Sequence, residues 1–410
     1  MLKTVGVLGN TERLYSHDSL LFLEEESLNT MAKLRVLGAG AKYDLCGHDT
    51  LLLSGVGRRW RGGLPGVYPA ALPGGGFKNL LKVLFTNVCL HDCRYCFSSS
   101  SLCRIKTSFT PEELADLFTK LYREGIIEGL FLSSSVCGDS TSTMERMLEA
   151  AEIIRRKHHF KGYIHLKVLP GASRDAVKWA SELADRLSIN IEAPSRSRFQ
   201  ELTSTKNYKS DILQRMRWIS EQKSEGRLPS GHTTQFVVGA SDETDREILR
   251  TVSSLYRNLN LDRAYYSAFE PLKGTPLEKH PPTLLLRQYR LYQADWLLRF
   301  YGFKFGDLVF NDNGYLPLRR DPKTEYALNN PDFYPVDVNE GTYQELLRVP
   351  GIGPTSASRI VRVRQTRGEI TSLRQLQKLG VVVKRARPFI TVSSKTQAPL
   401  DRYRSHPRTL

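Results

Sequence analysis

Several features are scarce in this sequence of 410 residues, and their scarcity narrows the classes of protein to which it can belong. No uninterrupted apolar run approaches 18 residues, so the sequence predicts no membrane-spanning helix. Residues 1–30 include Glu24, Glu25 and Glu26 but no small-residue cleavage site, which argues against a secretory signal. We therefore expect a cytoplasmic protein without a membrane partner.

Cysteine is also scarce, with six residues in the whole chain. A long chain without a secretory signal does not typically rely on a disulfide framework. Three of the six, Cys89, Cys93 and Cys96, fall within eight residues of one another. Clustering this tight indicates a metal site instead.

Acidic residues are outnumbered by basic ones, and the formal net charge is +16. Strongly basic proteins often bind nucleic acid or another polyanion, although a generally basic surface would give the same total. The excess is uneven, because residues 335–410 hold 14 Lys and Arg against 5 Asp and Glu. More than half of the excess charge therefore lies in under a fifth of the chain.

Short apolar runs alternate with helical patterns after a glycine-rich stretch. The runs predict six strands, at 82–86, 129–133, 163–169, 187–192, 234–238 and 264–269. The intervening patterns predict helices at 111–124, 142–156, 174–186, 211–225, 242–258 and 284–301. Thr110 and Glu113 form a capping-box signature before the first of these helices. Strand–helix units in series predict an α/β fold, a parallel sheet curled into a barrel or partial barrel with its active site at the carboxyl ends of the strands.

The same patterns divide the chain into five parts. The expected parts are an N-terminal extension at 1–80, partly glycine-rich; a partial barrel at 81–318; a linker at 319–337; a small all-α domain at 338–392; and a basic tail at 393–410 that we expect to be disordered.

The clustered cysteines have the spacing C-x3-C-x2-C and directly follow the first predicted strand. Three thiolates can hold three irons of a [4Fe–4S] cluster and leave the fourth iron open to a small molecule. A structural zinc site, with His91 or Cys103 as the fourth ligand, is the alternative. The paired C-x2-C knuckles of most zinc sites are missing, so the spacing favours the cluster.

With Tyr95 as the aromatic residue before the last cysteine, the motif resembles the C-x3-C-x-aromatic-C motif of the radical S-adenosylmethionine (SAM) superfamily. The resemblance covers about residues 80–305. It implies a partial (βα)6 radical SAM barrel with two cofactors, a [4Fe–4S] cluster on Cys89, Cys93 and Cys96 and a SAM molecule. It also implies an enzyme that cleaves SAM reductively and abstracts a hydrogen atom with the 5′-deoxyadenosyl radical, using an electron donor such as flavodoxin or ferredoxin.

The resemblance also suggests SAM-binding residues besides Tyr95. Ser133, Ser134 and Ser135 stand where the family often has Gly-Gly-Glu, which is a departure from its pattern. Asn190 and Glu192 follow the fourth predicted strand and are candidates for contacts to the SAM ribose or carboxylate, although a salt bridge at the barrel rim would also explain Glu192.

Two further positions follow from the same comparison of motifs. Gly239 ends the fifth predicted strand, where the family packs backbone against the adenine of SAM. Cys137 lies just after the second strand and so near the predicted site. Spore photoproduct lyase, a related repair enzyme, uses a cysteine as a hydrogen donor, which makes Cys137 a candidate for that role, and a solvent-side or structural cysteine is the alternative.

Residues 343–363, YQELLRVPGIGPTSASRIVRV, predict two helices joined by a tight loop. The loop glycines permit close backbone approach, and successive amides beside a helix N-terminus form an anion nest. The segment resembles the helix-hairpin-helix motif, which grips the DNA backbone without reading its sequence; a plain helical hairpin is the alternative. Residues 371–390 look like a degenerate second hairpin. The candidate DNA-binding residues are Gly351, Ile352, Gly353, Thr355, Ser356, Arg359, Arg362, Lys384 and Arg385.

The whole arrangement resembles a family described as DNA modification or repair radical SAM proteins, some of which are associated with a uracil-DNA-glycosylase-like protein. This resemblance implies hydrogen abstraction on DNA and a partner of that kind. Two alternatives stay open at this point. One is a radical SAM enzyme that modifies tRNA or other RNA, and the other is a DNA-binding protein whose iron–sulfur cluster is structural or redox-sensing.

Overall fold

The computed structural model describes residues 28–41, 64–71, 76–102 and 105–392. Cys46, Cys103 and the predicted tail at 393–410 lie outside these residues. The disorder expected of the tail and the role of Cys103 as an alternative zinc ligand therefore stay predictions. Among the described residues, no helix is long and apolar enough to cross a membrane.

A seven-stranded sheet dominates the described part of the chain, and its strands follow one another in chain order. They are β1 (Val67–Ala71), β2 (Phe77–Leu84), β3 (Gly129–Ser133), β4 (Tyr163–Lys167), β5 (Arg186–Ser188), β6 (Gly231–Val238) and β7 (Arg263–Ala268). β1 pairs antiparallel with β2, and every later pair is parallel. Because β1 and β7 are both edges, the sheet is a curled half-barrel, and the predicted fold class is confirmed.

Helices connect the strands and cover the outer face of the sheet. They are α1 (Thr30–Ala41), α2 (Pro111–Arg123), α3 (Ser140–Glu152), α4 (Arg174–Leu183), α5 (Arg196–Leu202), α6 (Gln214–Ser224), α7 (Asp245–Asn258) and α8 (Leu285–Phe300). Single π-helical turns extend α3 and precede α6. The capping box of Thr110 and Glu113 is present at the start of α2, as its sequence predicts.

Alternating side chains give the sheet two different faces. Leu81, Val83 and Leu130 pack with the helices in the main hydrophobic core. Lys82 and Phe131 alternate with them and therefore lie on the other, concave face of the half-barrel.

Two features of the sheet differ from the expected pattern. The sheet begins at Val67, ahead of the barrel boundary expected at residue 81, because β1 pairs with β2 along its whole length. β5 ends at Ser188, although the apolar pattern runs on to Glu192. The continuous ladder stops there, and the chain pairs with β6 again at Glu192, which forms a single parallel bridge to Phe236 with a φ of 63°.

The C-terminal unit is built from short helices around a core of its own. Its elements are α9 (Pro322–Asn329), β8 (Val336–Asp337), α10 (Tyr343–Arg348), α11 (Pro354–Arg367), α12 (Leu373–Lys378), α13 (Val383–Ala386) and β9 (Ile390–Thr391). Two residues each of β8 and β9 form a parallel pair, a small addition to the expected all-α domain.

The segment expected as a linker, 319–337, is largely ordered structure. It contains α9, which begins with Asp321 as its N-cap. Lys323 of α9 is 7% exposed and donates a hydrogen bond to the carbonyl of Ile352 at 2.5 Å. Polar residues near Pro322 suggested a flexible connection, but their side chains cap this helix and dock the hairpin instead.

Candidate active site

The three clustered cysteines lie in a loop that begins where β2 ends. Cys93 is buried, Cys89 and Cys96 are half-buried, and none of them forms a disulfide. Within the loop, the amide of Cys96 donates to the carbonyl of Cys93 at 3.0 Å. The amide of Leu90 donates to Val136, beyond the end of β3, at 2.9 Å. The loop is therefore fixed across the carboxyl ends of the first parallel strands.

Two side chains of this loop hold a second loop that follows α5. The carboxylate of Asp92 accepts hydrogen bonds from the hydroxyls of Thr203 at 2.6 Å and Thr205 at 2.9 Å, and from the amide of Ser204 at 3.1 Å. Burial would raise the pKa of Asp92, but these hydrogen bonds outweigh it and hold that pKa well below its usual range. Nδ1 of His91 lies 3.1 Å from Thr205 Oγ1. His91 thus serves to join the two loops.

This second loop brings Lys206 to the thiols, a residue that sequence reasoning missed. The half-buried Lys206 lies close enough to Cys93 and Glu192 for its positive charge to interact with both. Burial would lower the pKa of Lys206, but the charges of Cys93 and Glu192 outweigh it and raise that pKa. No local motif marks Lys206, since 110 residues separate it from the last clustered cysteine.

Glu192 occupies a strained position beside the cysteine loop. Its φ is 63°, and the amide of Ala193 donates to the carbonyl of Ile191 at 2.7 Å, which closes a γ-turn around Glu192. Such positive-φ γ-turns are rare, and residues that adopt them cluster at functional sites. The backbone strain therefore marks Glu192 independently of its side chain.

The side chain of Glu192 joins two other predicted residues. Tyr95 and Asn190 lie beside its carboxylate, and burial followed by the charge of Glu192 raises the pKa of the Tyr95 phenol. Burial also raises the pKa of Glu192. Its Oε2 atom is buried without a hydrogen-bond partner among the described residues. This oxygen is positioned to accept a hydrogen bond from a bound molecule.

The three thiols of Cys89, Cys93 and Cys96 are a donor set that a four-iron cluster accepts, with one thiolate on each of three irons. Among the described residues, no group of three His, Cys, Asp or Glu side chains is close enough to hold one ion. In a four-iron cluster, each thiolate bonds a different iron, so the three sulfur atoms stand further apart than around one ion. Burial, followed by the charge of Cys93, raises the pKa of Cys96 to about 12, and the ammonium of Lys206 supplies a compensating positive charge.

Ser133 at the end of β3, and Ser134 and Ser135 after it, border the start of the cysteine loop. The amide of Phe85 donates to the carbonyl of Ser133 at 2.8 Å, and the amide of Ser135 donates to Thr86 at 3.0 Å. The hydroxyl of Ser134 donates to the carbonyl of Ser135 at 2.7 Å. Two of the three serines therefore contribute backbone groups to the attachment of the loop.

Cys137 lies on the same side of the sheet, in the loop between β3 and α3. It is half-buried, and its amide and carbonyl both bond with the hydroxyl of Thr143, at 3.0 and 2.7 Å. These bonds fix the backbone of Cys137 near the cysteine loop, which Leu90 joins to the adjacent Val136.

Gly239 directly follows β6, and its polar backbone groups have partners inside the protein. Its amide donates to Glu243 at 2.6 Å, and its carbonyl lies 2.8 Å from Nε2 of His280. A Cβ at this position, where φ is 86°, would lie 1.9 Å from the hydroxyl of Thr283. Glycine is therefore required here by local packing.

The concave face of the half-barrel is strongly basic. Lys82, which is 4% exposed, places its ammonium 4.4 Å from the ring centre of Tyr68. Arg186 lies 5.9 Å from the ring centre of Tyr163 on the same face, and Lys167 lines a small cavity further along it. Positive charge on this face favours an anionic ligand.

The predicted hairpin loop lies between α10 and α11. Gly351 has a φ of 85°, and the amide of Ile352 donates to Val349 at 3.1 Å. Gly353 is the N-cap of α11, and no side chain caps the first amides of that helix. Thr355 is exposed, whereas Ile352 and Ser356 are buried. The uncapped first amides of α11 are therefore the polar groups that this loop leaves for a ligand.

The basic residues predicted around this loop divide into two groups. Arg359, Arg362 and Lys384 are exposed. Arg385 is half-buried and forms an ion pair of 2.6 Å with Asp321, the N-cap of α9. Arg385 therefore connects the hairpin unit to α9, a role that the sequence around it does not indicate.

Comparison with known protein families identifies both regions. Residues 83–255 match the model of the radical SAM superfamily. The chain contains a radical SAM domain. Radical SAM enzymes use a [4Fe–4S] cluster and SAM, so the predicted cofactors are confirmed. Residues 332–385 match the model of the helix-hairpin-helix motif, which confirms the second predicted unit and hints at nucleic-acid binding.

The solved structures that resemble this chain have low sequence identity to it. Methylornithine synthase (PylB) is 15% identical, with a TM-score of 0.43 and coverage of 52% of this chain and 60% of that one. The FeFe-hydrogenase maturase HydG from Carboxydothermus hydrogenoformans is 13% identical, with a TM-score of 0.43 and coverage of 52% and 50%. HemN from Escherichia coli, a coproporphyrinogen III oxidase and radical SAM enzyme, is 11% identical, with a TM-score of 0.33 and coverage of 46% and 45%. The chain thus spans about half the length of these proteins. No curated protein matches it.

Proposed function

We propose that this protein is a radical SAM enzyme that acts on nucleic acid, in DNA repair or modification. When bound, the cluster and SAM supply reductive cleavage of SAM to methionine and a 5′-deoxyadenosyl radical, which abstracts a hydrogen atom. The observation that carries the proposal is the presence, in one chain, of the three-thiol loop of a radical SAM domain and a helix-hairpin-helix unit.

Residues of the chain have separate roles in this proposal. Cys89, Cys93 and Cys96 would hold three irons. The ammonium of Lys206 would balance the negative charge of the thiolates or bind the carboxylate of SAM. The unpartnered Oε2 of Glu192 would accept a hydrogen bond from SAM. Tyr95 and Asn190 would orient the carboxylate of Glu192. The strained γ-turn would set its direction.

Nucleic acid as the substrate class has support from two separate surfaces. The concave face carries Lys82, Lys167 and Arg186 among aromatic rings. The hairpin unit exposes Arg359 and Arg362 beside an uncapped helix N-terminus. Both surfaces suit phosphates, and a target atom within a duplex would have to be flipped out to reach the barrel.

The partners follow from the proposed chemistry. An electron must be supplied, and a flavodoxin or ferredoxin is the expected donor. A uracil-DNA-glycosylase-like partner, a cytoplasmic location and hydrogen donation by Cys137 stay predictions, as does a reaction on DNA instead of RNA.

The test is anaerobic reconstitution of the cluster, followed by reduction and addition of SAM with and without nucleic acid. We expect 5′-deoxyadenosine to form and its rate to rise with DNA more than with structured RNA. Greater stimulation by RNA would overturn the choice of DNA. No 5′-deoxyadenosine from a protein with its full iron content would overturn the enzyme and favour a DNA-binding protein with a structural or redox-sensing cluster.

A further inference from the structure

Three consecutive leucines at the start of α8 are exposed to solvent. Leu284, the N-cap of the helix, is 66% exposed, Leu285 is 53% exposed and Leu286 is 42% exposed. Among the large apolar side chains of the described residues, Leu284 has the highest exposure. Single exposed leucines are common, but a contiguous apolar patch marks a surface that contacts another molecule. The proposed radical chemistry gives these three side chains no role.

The backbone on both sides of the leucines is firmly attached to the half-barrel. The amide of Thr283 donates to the carbonyl of Phe269, which follows β7, at 2.9 Å. The hydroxyl of Thr283 donates to the carbonyl of Val238, the last residue of β6, at 2.7 Å. After the leucines, Arg287 forms an ion pair of 2.8 Å with the buried Asp245. The leucines are therefore presented to solvent on a rigid support.

The segment that precedes the leucines also contacts the cysteine loop. The amide of Leu277 donates at 3.3 Å to the carbonyl of Arg94, which lies between Cys93 and Cys96. The carboxyl ends of parallel strands meet at one edge of a barrel, and that edge carries the active site. The leucines, which follow Leu277 by only a few residues, therefore lie on the rim of the half-barrel where a substrate would enter.

The helix α8 connects the leucines to the hairpin unit. Residues four apart are neighbours on a helix surface, so Leu285 adjoins Tyr289. The hairpin loop faces α8 across a cavity of about 500 Å³, which Tyr289 lines together with Gly351 and Pro354. The leucines therefore stand one helical turn from the surface on which the hairpin unit lies, and the apolar rim is continuous with that unit.

The charge beside the leucines identifies the occupant that fits them. The hairpin unit exposes Arg359, Arg362 and Lys384, and residues 335–410 hold 14 Lys and Arg against 5 Asp and Glu. A second copy of this chain, with its own net charge of +16, would be repelled from such a surface. Duplex DNA has phosphates outside and stacked bases inside, and leucine is among the apolar side chains that proteins insert between its base steps. Duplex DNA therefore matches both the basic unit and the apolar rim next to it.

We propose that Leu284, Leu285 and Leu286 form an apolar wedge that inserts between the base pairs of a DNA duplex held by the hairpin unit and opens the duplex at the rim of the barrel. The inference rests on the proposed function and deepens it, because it assigns to these residues the step that brings a nucleotide out of the duplex. Insertion removes the leucines from water, which offsets the free energy lost when a base step is unstacked.

The test uses the full chain and a DNA duplex that contains a single 2-aminopurine, a base analogue whose fluorescence rises when it is unstacked. With all of the duplex bound, as judged by anisotropy, we expect that fluorescence to rise several-fold. The double variant Leu284→Ser/Leu285→Ser should lose most of this rise, while its affinity falls by less than about tenfold because the phosphate contacts of the hairpin unit remain. Leu284→Met/Leu285→Met should retain the rise, since methionine is apolar and similar in size.

Tyr122→Ser is the matched control, since Tyr122 is 46% exposed on α2, the helix between β2 and β3, and it should keep the full rise. Binding of the duplex without a rise in fluorescence, or an equal rise with the double serine variant, would overturn the inference and leave the proposed function intact. No binding of the duplex would overturn both the inference and the choice of DNA as substrate.

Other occupants of the leucine surface have their own signatures. A dimer in sedimentation velocity, or binding to phosphatidylglycerol vesicles, that the double serine variant abolishes would assign the leucines to a second copy of the chain or to a lipid surface and overturn the inference. Formation of 5′-deoxyadenosine in the absence of DNA, measured on the same preparations, reports separately on the proposed function. The double serine variant should keep that activity, because both substituted side chains are exposed.

Discussion

The cysteine loop and the hairpin unit each bind a cofactor or ligand in this proposal, but they are assembled differently. The groups around Cys93 come from distant parts of the chain, since Lys206 follows α5 and Glu192 follows β5. The hairpin loop and its helices occupy one continuous stretch, α10 to α11. The first site depends on the folding of the whole half-barrel, whereas the second depends mainly on local glycines and helix ends.

The side chains of the cysteine-loop site are also more deeply buried than those of the hairpin surface. Cys93 is 4% exposed and Glu192 is 9% exposed, so charges there must be balanced by neighbours. Arg359 and Arg362 are exposed, so water and salt screen their charges. A single substitution in the buried site should therefore have a large effect, and one on the hairpin surface a small, salt-dependent effect.

Cys93→Ala should produce the largest effect. Removal of one of three thiolates leaves a second iron without a protein ligand, so we expect loss of the cluster and of 5′-deoxyadenosine formation. Iron content and the visible absorption of the reconstituted protein measure this. Cys137→Ala is the control and should retain its iron; full iron content in Cys93→Ala would contradict the assignment of the ligands.

Lys206→Met should weaken SAM binding or cluster retention by about 10–100-fold, the usual cost of removing a group that supports metal ligands. The reason is loss of the ammonium that contacts Cys93. Equilibrium dialysis with SAM and iron analysis separate the two effects. Lys209→Met, an exposed lysine three residues further on, should change neither. Equal behaviour of the two variants would remove Lys206 from the site.

Gly351→Ala should destabilise the hairpin unit by about 2–5 kcal/mol, from positive-φ strain together with overpacking. Its new Cβ would lie 2.6 Å from the carbonyl of Val382. Gly368→Ala has a similar φ of 87° but open space around it, so we expect only the backbone strain of about 1–3 kcal/mol, without overpacking. Thermal unfolding of both variants measures the difference, and equal losses would show that packing at Gly351 is unimportant.

Arg362→Ala should give the smallest effect. We expect DNA affinity to fall a few-fold and the slope of log K against log salt to fall by about 1, because one phosphate contact is lost. Arg123→Ala, an exposed arginine of α2, is the matched control on the barrel. A salt titration of DNA binding separates the variants. Equal slopes for both would place the DNA away from the hairpin face.

Local patterns were sufficient for much of the fold. Apolar runs predicted β3 with its bounds, and the Thr110 and Glu113 pair predicted the start of α2. These patterns missed β1 because its partner is known only once β2 is placed. They extended β5 beyond Ser188 because an apolar pattern does not reveal the positive φ at Glu192. The prediction of a linker at 319–337 was wrong in part, because α9 lies within it. Residues that cap a helix and residues of a connecting segment have a similar composition.

The sequence by itself determined the contiguous features of this protein: the C-x3-C-x2-C loop, the PGIGP hairpin loop and the order of strands and helices. These depend on spacing and on backbone freedom that neighbouring residues set. Only the tertiary structure decided that Lys206 meets Cys93, that Arg385 pairs with Asp321, and that the hairpin faces α8 across a cavity. Such contacts join residues far apart in the chain, and their energies arise from burial and charge that exist only after folding.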